Sequence, residues 1–262
     1  MTREISLRDV TLAFDDPSGG RNTVYENFNL DIERGSFTVL LGPSGCGKST
    51  LLNVINRLID PTSADAILID GQDVRQNPEL TRHMAYVFQD ARLLKWKTLR
   101  QNAEFGMRGL KVQPRERWDE LLDKYFTMAG LAPFMDHYPS QVSGGMQQRA
   151  AIVRAWVNEP EVLLMDEPFS HLDELTAADM RRELVALWAA EEDRRTVVFV
   201  THDISEAVQL ATRVVVLTPT PATVCHEVKI DLPYPRAADA DDVFDLEKSL
   251  RRVFAEKAGI RI

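Results

Sequence analysis

A glycine-rich stretch stands between an apolar run and a helical pattern, and it consists of Gly42, Pro43, Ser44, Gly45, Cys46, Gly47, Lys48, Ser49 and Thr50. Its spacing matches G-x-x-x-x-G-K-[ST], and the strand-to-helix context is the one that this motif requires. Glycines allow backbone N–H groups to turn inward around a phosphate, and the helix start adds positive potential. Lys48 can reach the β- and γ-phosphates, and the Ser49 hydroxyl can ligate Mg²⁺. The stretch predicts a site for a nucleoside triphosphate, and these two residues disfavour an accidental glycine-rich turn.

Two adjacent carboxylates, Asp166 and Glu167, follow the apolar run VLLM at residues 162–165. In open α/β sheets, ligands gather beyond the carboxyl ends of the strands. Asp166 is suited to hold Mg²⁺, directly or through water, and Glu167 is suited to orient and deprotonate an attacking water. Acidic residues after strands are often solvated turn residues, but the phosphate loop in the same chain favours the functional interpretation.

A second glycine-bearing helix start lies in the sequence VSGGMQQRAAIVRAW, residues 142–156. Ser143, Gly144 and Gly145 precede a helical pattern, so this turn could also hold an anion. In isolation, a serine-capped helix with two flexible glycines explains the stretch equally well. The chain therefore contains a second candidate phosphate-binding turn whose purpose the first does not explain.

The elements around these residues follow two apolar patterns. Alternating apolar residues near the N-terminus, at residues 5–14 and 28–32, predict strands with one packed face in an antiparallel arrangement. Short unbroken apolar runs predict central parallel strands, and they are FTVLL (37–41), AYVF (85–88), VLLM (162–165), TVVFV (196–200) and VVVL (214–217). Helical patterns lie between them, at Leu51, Leu52, Ile55, Leu58 and Ile59 and at Ile204, Ala207, Val208 and Ala211.

Two further regions are predicted to be helical. Residues 91–141 show few strand signals and a helical pattern around Trp118–Phe126, which predicts a helical insertion into an α/β body. From Asp241 onward, an amphipathic pattern through Val243, Phe244 and Leu250 predicts one helix.

Composition limits the function classes. The chain has 262 residues and a formal net charge of −9, with no conspicuous Lys/Arg block, so nucleic-acid binding is not expected. The two cysteines, Cys46 and Cys225, are too few for a disulfide framework and fit a reducing compartment. The N-terminus does not have the pattern of a signal peptide, and no apolar run approaches the roughly 18–20 residues that span a bilayer. Any membrane role is therefore expected to act through a partner.

The motifs together resemble the nucleotide-binding subunit of ATP-binding cassette (ABC) transporters over nearly the whole chain. The resemblance rests on the phosphate loop, Gln89 in VFQD, SGGMQ at residues 143–147, Asp166-Glu167, SHLD at residues 170–173 and His202 in VTHD. It implies an α/β fold: a P-loop NTPase (RecA-like) core with an antiparallel β-subdomain and an inserted helical subdomain. We expect a single domain over 1–262, with the β-subdomain and core at 1–90 and 145–235, the helical signature subdomain at 91–144 and a C-terminal helical tail at 236–262.

The resemblance also implies a use for the second turn. In this family two subunits form a head-to-tail dimer with ATP between them, and each site combines the phosphate loop of one chain with the signature helix of the other. The residues expected to act in trans are Ser143, Gly144, Gly145, Gln147 and Asp173. Within one chain, Glu167, His202 and Gln89 resemble the catalytic residues, Ser49, Gln89 and Asp166 resemble the Mg²⁺ ligands, and Phe14 resembles the aromatic that stacks on adenine. Core packing is the alternative for Phe14.

The segment FQDARLLKWKTLRQNAEFGM resembles the branch that serves nitrate, taurine and aliphatic sulfonates. The expected function is that of an ATPase subunit at the cytoplasmic face of the membrane, a peripheral protein working with an integral-membrane permease and an extracytoplasmic solute-binding protein. Trp96 lies in the segment expected to contact the permease, although apolar residues there could instead fill the helical subdomain. His171, Lys95 and Val142 depart from the family pattern without removing a catalytic group.

Two other function classes also use an ATP-binding cassette, but they fit this chain less well. Soluble ABC ATPases of DNA repair or the ribosome have two cassettes in one chain or a long coiled-coil insertion, and this chain shows neither. A regulatory subunit that binds nucleotide without turnover is disfavoured by the presence of Glu167 and His202.

Overall fold

The computed structural model describes residues 4–15, 19–110, 113–170, 172–190, 194–237 and 240–257. The strands are β1 (Ile5–Asp15), β2 (Arg21–Ile32), β3 (Phe37–Leu41), β4 (Ala66–Ile69), β5 (Gln72–Asp73), β6 (Met84–Val87), β7 (Val162–Asp166), β8 (Thr196–Thr201), β9 (Arg213–Leu217) and β10 (Val224–Lys229). The α-helices are α1 (Lys48–Ile55), α2 (Leu99–Leu110), α3 (Trp118–Met128), α4 (Gly144–Trp156), α5 (Glu174–Ala189), α6 (Ile204–Leu210) and α7 (Asp241–Lys257).

An antiparallel sheet contains the N-terminal strands in the order β2-β1-β4-β5. β1 and β2 pair with Ile5 opposite Ile32 and Leu7 opposite Leu30. These four residues are buried, whereas alternate positions such as Ser6 and Asp31 are not, as a sheet with one packed face requires. The antiparallel prediction for this region is confirmed, and its inner face covers the phosphate loop.

A second, largely parallel sheet has the order β10-β9-β3-β8-β7-β6. Its strands pair in parallel from β9 through β6, and β10 alone joins the edge of β9 in the antiparallel direction. Every residue of β3, β7, β8 and β9 is buried, because both faces of these strands are covered. The predicted α/β class is confirmed, and the carboxyl ends of β3, β7 and β8 lie side by side.

The helical region contains α2 and α3, and α2 packs against α4. Arg154 of α4 donates to the carbonyl oxygens of Ala91 and Arg92 at 2.9 and 2.8 Å, which fixes the segment that enters this region. α4 begins at Gly144, the predicted end of the helical subdomain, and extends to Trp156. The division of the chain into subdomains at the boundaries given above stays a prediction.

Two apolar positions differ from the sequence expectation. α1 ends at Ile55, because Asn56 leaves helical geometry and Arg57 adopts a φ of 57°. Leu58 therefore leaves the helix face and is 56% exposed. In α7, Val243, Leu250 and Phe254 are buried as expected, but Phe244 points outward and is 62% exposed. Among the helices of the described residues, none is both long and apolar enough to cross a bilayer.

Candidate functional site

The phosphate loop joins the end of β3 to the start of α1. Gly45 and Gly47 have φ values of 78° and 102°, a region that side chains with a Cβ rarely adopt. At Gly47, a Cβ atom would lie 2.4 Å from Cγ1 of Val24 and 2.9 Å from the hydroxyl oxygen of Tyr25. Glycine at this position therefore satisfies both the backbone conformation and the close packing of β2 behind the loop.

Tyr25 of β2 fixes one peptide of this loop. Its hydroxyl donates to the carbonyl oxygen of Gly47 at 2.6 Å, and the same oxygen accepts the helix bond from the Leu51 N–H at 2.9 Å. In a trans peptide the carbonyl and the following N–H point in opposite directions, so this bond aims the Lys48 N–H away from Tyr25. Burial raises the pKa of Tyr25 well above its ordinary value, which keeps the hydroxyl protonated as a donor. Tyr25 lies in β2 outside the strand predicted at residues 28–32, and no local sequence feature marks it as a partner of the loop.

Lys48 is folded into the loop rather than extended into solvent. Only 4% of the residue is exposed, and its ammonium donates to the carbonyl oxygens of Gly42 at 2.8 Å and Pro43 at 2.9 Å. The same nitrogen lies 4.0 Å from Oε1 of Glu167. A positive charge is therefore held at the mouth of the loop by groups that a phosphate can replace as partners.

Asp166 ends β7 beside the start of α1. Its Oδ1 accepts a hydrogen bond from the Ser49 hydroxyl at 2.7 Å, and its Oδ2 accepts from the Tyr86 hydroxyl at 3.4 Å. Burial raises the pKa of Asp166, and the hydrogen bond from Ser49 acts in the opposite direction. A buried carboxylate beside a hydroxyl provides hard oxygen ligands, the type that Mg²⁺ prefers.

These oxygens fit magnesium only in combination with a substrate. No group of three or more His, Cys, Asp or Glu side chains that could hold a metal occurs among the described residues. Mg²⁺ is commonly bound by one or two protein groups together with substrate phosphates and water. Ser49 and Asp166 match that pattern, since they lie at the loop where the phosphates are expected.

Glu167 follows β7 in a strained conformation. Its φ is 41°, which is uncommon for a residue with a side chain, and such outliers cluster at functional sites. The Glu167 N–H donates to the carbonyl oxygen of Val200 in β8 at 3.0 Å, which ties the two strand ends together. Its Oε2 lies 3.2 Å from Nδ1 of His202, just after β8. The two predicted catalytic side chains are thus in contact.

Gln89 lies after β6, with its side chain directed toward the segment that follows Glu167. Its amide nitrogen donates to the Ser170 hydroxyl at 3.2 Å, and Ser170 donates to the carbonyl oxygen of Glu167 at 3.0 Å. Gln89 is therefore connected through Ser170 to the main chain of Glu167, and its side-chain contact is with Ser170 rather than with Asp166.

The residues expected to act in trans occupy two other helix starts. Ser143 caps α4, where its hydroxyl accepts from the Met146 N–H at 3.3 Å, and the Gln147 amide donates to the carbonyl oxygen of Pro139 at 2.9 Å. Asp173 caps α5 by accepting from the Thr176 N–H at 3.0 Å, a bond that lowers the Asp173 pKa.

These two helix starts pack against each other. A Cβ at Gly145 would lie 3.1 Å from Cγ2 of Thr176, whereas one at Gly144 would meet nothing within 4 Å. The start of α4 is therefore open at Gly144 and closely packed at Gly145. His171, one of the departures from the family pattern, lies outside the described residues.

Phe14 lies near the end of β1, opposite Asn22 of β2. It is 44% exposed, so it does not fill the core of the antiparallel sheet. The core-packing alternative for this residue is therefore disfavoured, and the ring is free to contact a flat ligand.

A family model described as "ABC transporter" matches residues 25–170 of the chain. The chain is 35% identical over 253 residues to the aliphatic sulfonates import ATP-binding protein SsuB of Bacillus cereus, covering 95% of each protein. It is also 35% identical to the taurine import ATP-binding protein TauB of Jannaschia sp., over 96% of this chain and 90% of that protein.

Solved structures of ABC transporter cassettes are also similar to this chain. The dimeric structure of the bacterial ABC transporter cassette MJ0796 is similar with a TM-score of 0.75 and 34% identity, covering 87% of this chain and 100% of that one. A dimeric post-hydrolysis state of that cassette, bound to ADP and Pi, is similar with a TM-score of 0.74 and 32% identity, at the same coverage.

Proposed function

The chain belongs to the ABC transporter family as an import-type ATP-binding subunit with ATPase activity, and from this premise we propose that two copies bind MgATP between them and drive solute uptake through a separate permease. The proposal rests on how the expected ATP-binding residues are distributed within one protomer. Lys48, Ser49 and Glu167 meet in one cluster, whereas Ser143 and Asp173 occupy two other helix starts. A second copy facing the first can supply the missing half.

Substrate binding begins at the phosphate loop. Backbone N–H groups and the start of α1 attract the triphosphate, and the Lys48 ammonium exchanges its carbonyl partners for phosphate oxygens. Phe14, exposed at the end of β1, stacks on the adenine ring. The Ser49 hydroxyl and the Asp166 carboxylate would hold Mg²⁺, which would supply charge neutralisation for the phosphates.

Hydrolysis uses the pair formed by Glu167 and His202. Glu167 accepts a proton from the attacking water, and its strained backbone together with the bond to Val200 keeps the carboxylate directed into the site. His202, 3.2 Å from Glu167, donates to the γ-phosphate and helps to orient it. Gln89 connects this pair, through Ser170, to the segment that leads into the helical region.

Closure of the dimer completes the site. The start of α4 from the second copy contributes Ser143, Gly144, Gly145 and Gln147, and the open space at Gly144 leaves room for a phosphate to approach the backbone. Hydrogen bonds to a charged group contribute about 1.5–3 kcal/mol each, so a few of them make closure depend on the γ-phosphate. Loss of that phosphate removes the differential affinity, and the dimer opens.

The permease partner is expected at the segment before α2. Trp96 is 73% exposed and Phe105 of α2 is 56% exposed, so both offer apolar area outside the core. Aliphatic sulfonates and taurine are the solutes named for the similar import proteins SsuB and TauB. We therefore propose a small anionic or zwitterionic solute of the sulfonate, taurine or nitrate type, delivered by an extracytoplasmic binding protein. In this assignment the chain acts at the cytoplasmic face of the membrane as a peripheral subunit.

The experiment that tests this function uses the chain purified with its permease and reconstituted in proteoliposomes. ATP hydrolysis and solute uptake are measured with aliphatic sulfonates, taurine and nitrate, each with its binding protein. We expect one of these solutes to stimulate hydrolysis and to accumulate in an ATP-dependent manner. Hydrolysis without uptake of any of them would contradict the proposed solute class, and absence of hydrolysis would contradict the transport role.

A further inference from the structure

A buried arginine, Arg181 in α5, connects two elements that the proposed mechanism treats separately. Only 3% of the residue is exposed. Its guanidinium donates to Oε1 of Glu174 at 2.5 Å, to Oε1 of Gln209 at 3.1 Å and to Oε1 of Glu206 at 3.5 Å. Glu174 is the first residue of α5 and directly follows Asp173, which is expected to act on the second ATP site. One end of this network is therefore attached to the helix start used in trans.

The other end of the network reaches His202. Glu206 of α6 is buried, and its Oε2 accepts a hydrogen bond from the Thr201 hydroxyl at 2.6 Å. The oxygen of that hydroxyl in turn accepts from the Asp203 N–H at 3.0 Å. Thr201 and Asp203 are the residues on either side of His202, so the bond from Thr201 connects Glu206 to the backbone that carries the histidine. A cavity of about 170 Å³ is lined by Glu167, His202, Arg181 and Glu206 among others, so the network borders the same space as the Glu167–His202 pair.

We propose that Arg181 and Glu206 are positioning residues that link, within each protomer, the start of α5 to His202. In the head-to-tail dimer, His202 of one protomer serves one ATP site and Asp173 of the same protomer serves the other. The series of contacts from Glu174 through Arg181 and Glu206 to Thr201 therefore joins the two sites through a single subunit. Buried charges that are paired hold a fixed arrangement, and removal of one partner leaves an uncompensated group. The Glu174 side chain is 78% exposed, so it is the buried Arg181–Glu206 pair that transmits a shift between the two ends.

This inference rests on the proposed function, because it requires two composite ATP sites. The test uses mixed dimers isolated with two different affinity tags, in which one protomer is unchanged. In the reference dimer the partner carries Glu167→Gln alone, so that only the site containing the intact Glu167 hydrolyses ATP. That site takes its Asp173 from the partner, whereas the partner's own His202 serves the inactive site. A change near the partner's His202 can then affect hydrolysis through that subunit or through dimer closure at the inactive site, and a mixed dimer whose partner carries Glu167→Gln with His202→Ala measures the closure contribution.

The test dimer carries Glu167→Gln and Glu206→Gln in the partner. Glutamine removes the negative charge that pairs with Arg181 and replaces one acceptor oxygen by an NH₂ donor. The ion pair is therefore lost, and the bond with the Thr201 hydroxyl can persist only in the reversed direction. We expect ATP hydrolysis at the intact site to fall about 2- to 30-fold relative to the reference dimer, the range found for mutations within coupling networks. A rate equal to that of the reference dimer would overturn the proposal.

Two further variants separate coupling from a general loss of stability. Arg213→Gln in the partner removes a comparably buried arginine, paired with Glu227 at 2.6 Å in the β9–β10 edge, and should leave the rate at the reference value. An equal loss with Arg213→Gln contradicts the network. If Glu206→Gln fails to fold, Thr201→Val is used in its place, because it removes only the linking hydroxyl. Thr201→Ser retains that hydroxyl and should hydrolyse ATP at the rate of the reference dimer. If the unchanged dimer does not hydrolyse ATP, the proposed function itself fails, a result distinct from equal rates in working dimers.

Discussion

Substitution of Tyr25 by phenylalanine isolates the contribution of one hydrogen bond to nucleotide binding. The change removes the 2.6 Å bond to the carbonyl oxygen of Gly47 and keeps the ring, which lies 4.8 Å from the ring of Phe28. Gly47 keeps its bond from the Leu51 N–H, so its carbonyl is not left unsatisfied. The loss is therefore that of one ordinary buried bond, about 0.5–1.5 kcal/mol.

That energy is expected to appear mainly in ATP affinity. The bond orients the peptide that presents the Lys48 N–H, so its loss should raise the dissociation constant for ATP by about 2- to 12-fold. Because Glu167 and His202 lie at the ends of β7 and β8, the rate at saturating ATP should change by less than about twofold. Only the remainder should appear as lost stability, so the midpoint of thermal unfolding without nucleotide should fall by less than about 2 °C. The assays are titration with a fluorescent ATP analogue, steady-state hydrolysis and a thermal melt.

The matched control is Tyr125→Phe. Tyr125 is also buried, and its hydroxyl donates to Oε1 of Glu159 and accepts from Arg195, away from the phosphate loop. This variant should lose stability without a change in ATP affinity. The reasoning is refuted if Tyr25→Phe lowers the melting temperature yet binds ATP as tightly as the unchanged protein, or if the two variants weaken ATP binding equally.

Three further predictions concern the loop, the base and the permease contact. Gly47→Ala should abolish ATP binding and destabilise the fold by about 1–3 kcal/mol, because its Cβ would lie 2.4 Å from Cγ1 of Val24. The control is Gly109→Ala, at an open helical position, which should raise the melting temperature slightly. Glu167→Gln should retain ATP binding, lose about 10²–10⁴-fold in turnover and accumulate an ATP-bound dimer on size-exclusion chromatography; normal turnover would show that another group is the base. Trp96→Ala should preserve basal hydrolysis and reduce co-purification with the permease, and unchanged recovery would remove Trp96 from that contact.

Much of the fold follows from local patterns. The buried parallel strands are unbroken apolar runs in the sequence. The phosphate loop is recognisable from the spacing of its glycines, two of which adopt the positive φ values that favour glycine. β10 has no such signature, since its residues are only partly buried and lie at a sheet edge. The end of α1 before Arg57 was also not predictable, because the apolar pattern of the sequence continues through Leu58 after the helix has ended.

The supporting residues of the site could not be found from the sequence. Tyr25 acts on Gly47 across 22 positions of the chain, and Arg181 and Glu206 meet across 25 positions. A tyrosine in an alternating strand and an arginine in a helix have no local feature that marks such partners. Their roles depend on the packing of the antiparallel sheet against the loop and of α5 against α6, which only the assembled fold provides.

The most direct measurement of the composite ATP site is complementation between two inactive variants. Lys48→Ala disables the phosphate loop and Ser143→Arg blocks the signature helix start, so each variant alone should hydrolyse no ATP. In an equal mixture, about half of the dimers are mixed and each has one intact site, so activity should recover to about a quarter of that of the unchanged protein. No recovery in a mixture of folded, dimerising variants, or full activity of either variant alone, would contradict a site shared between two copies.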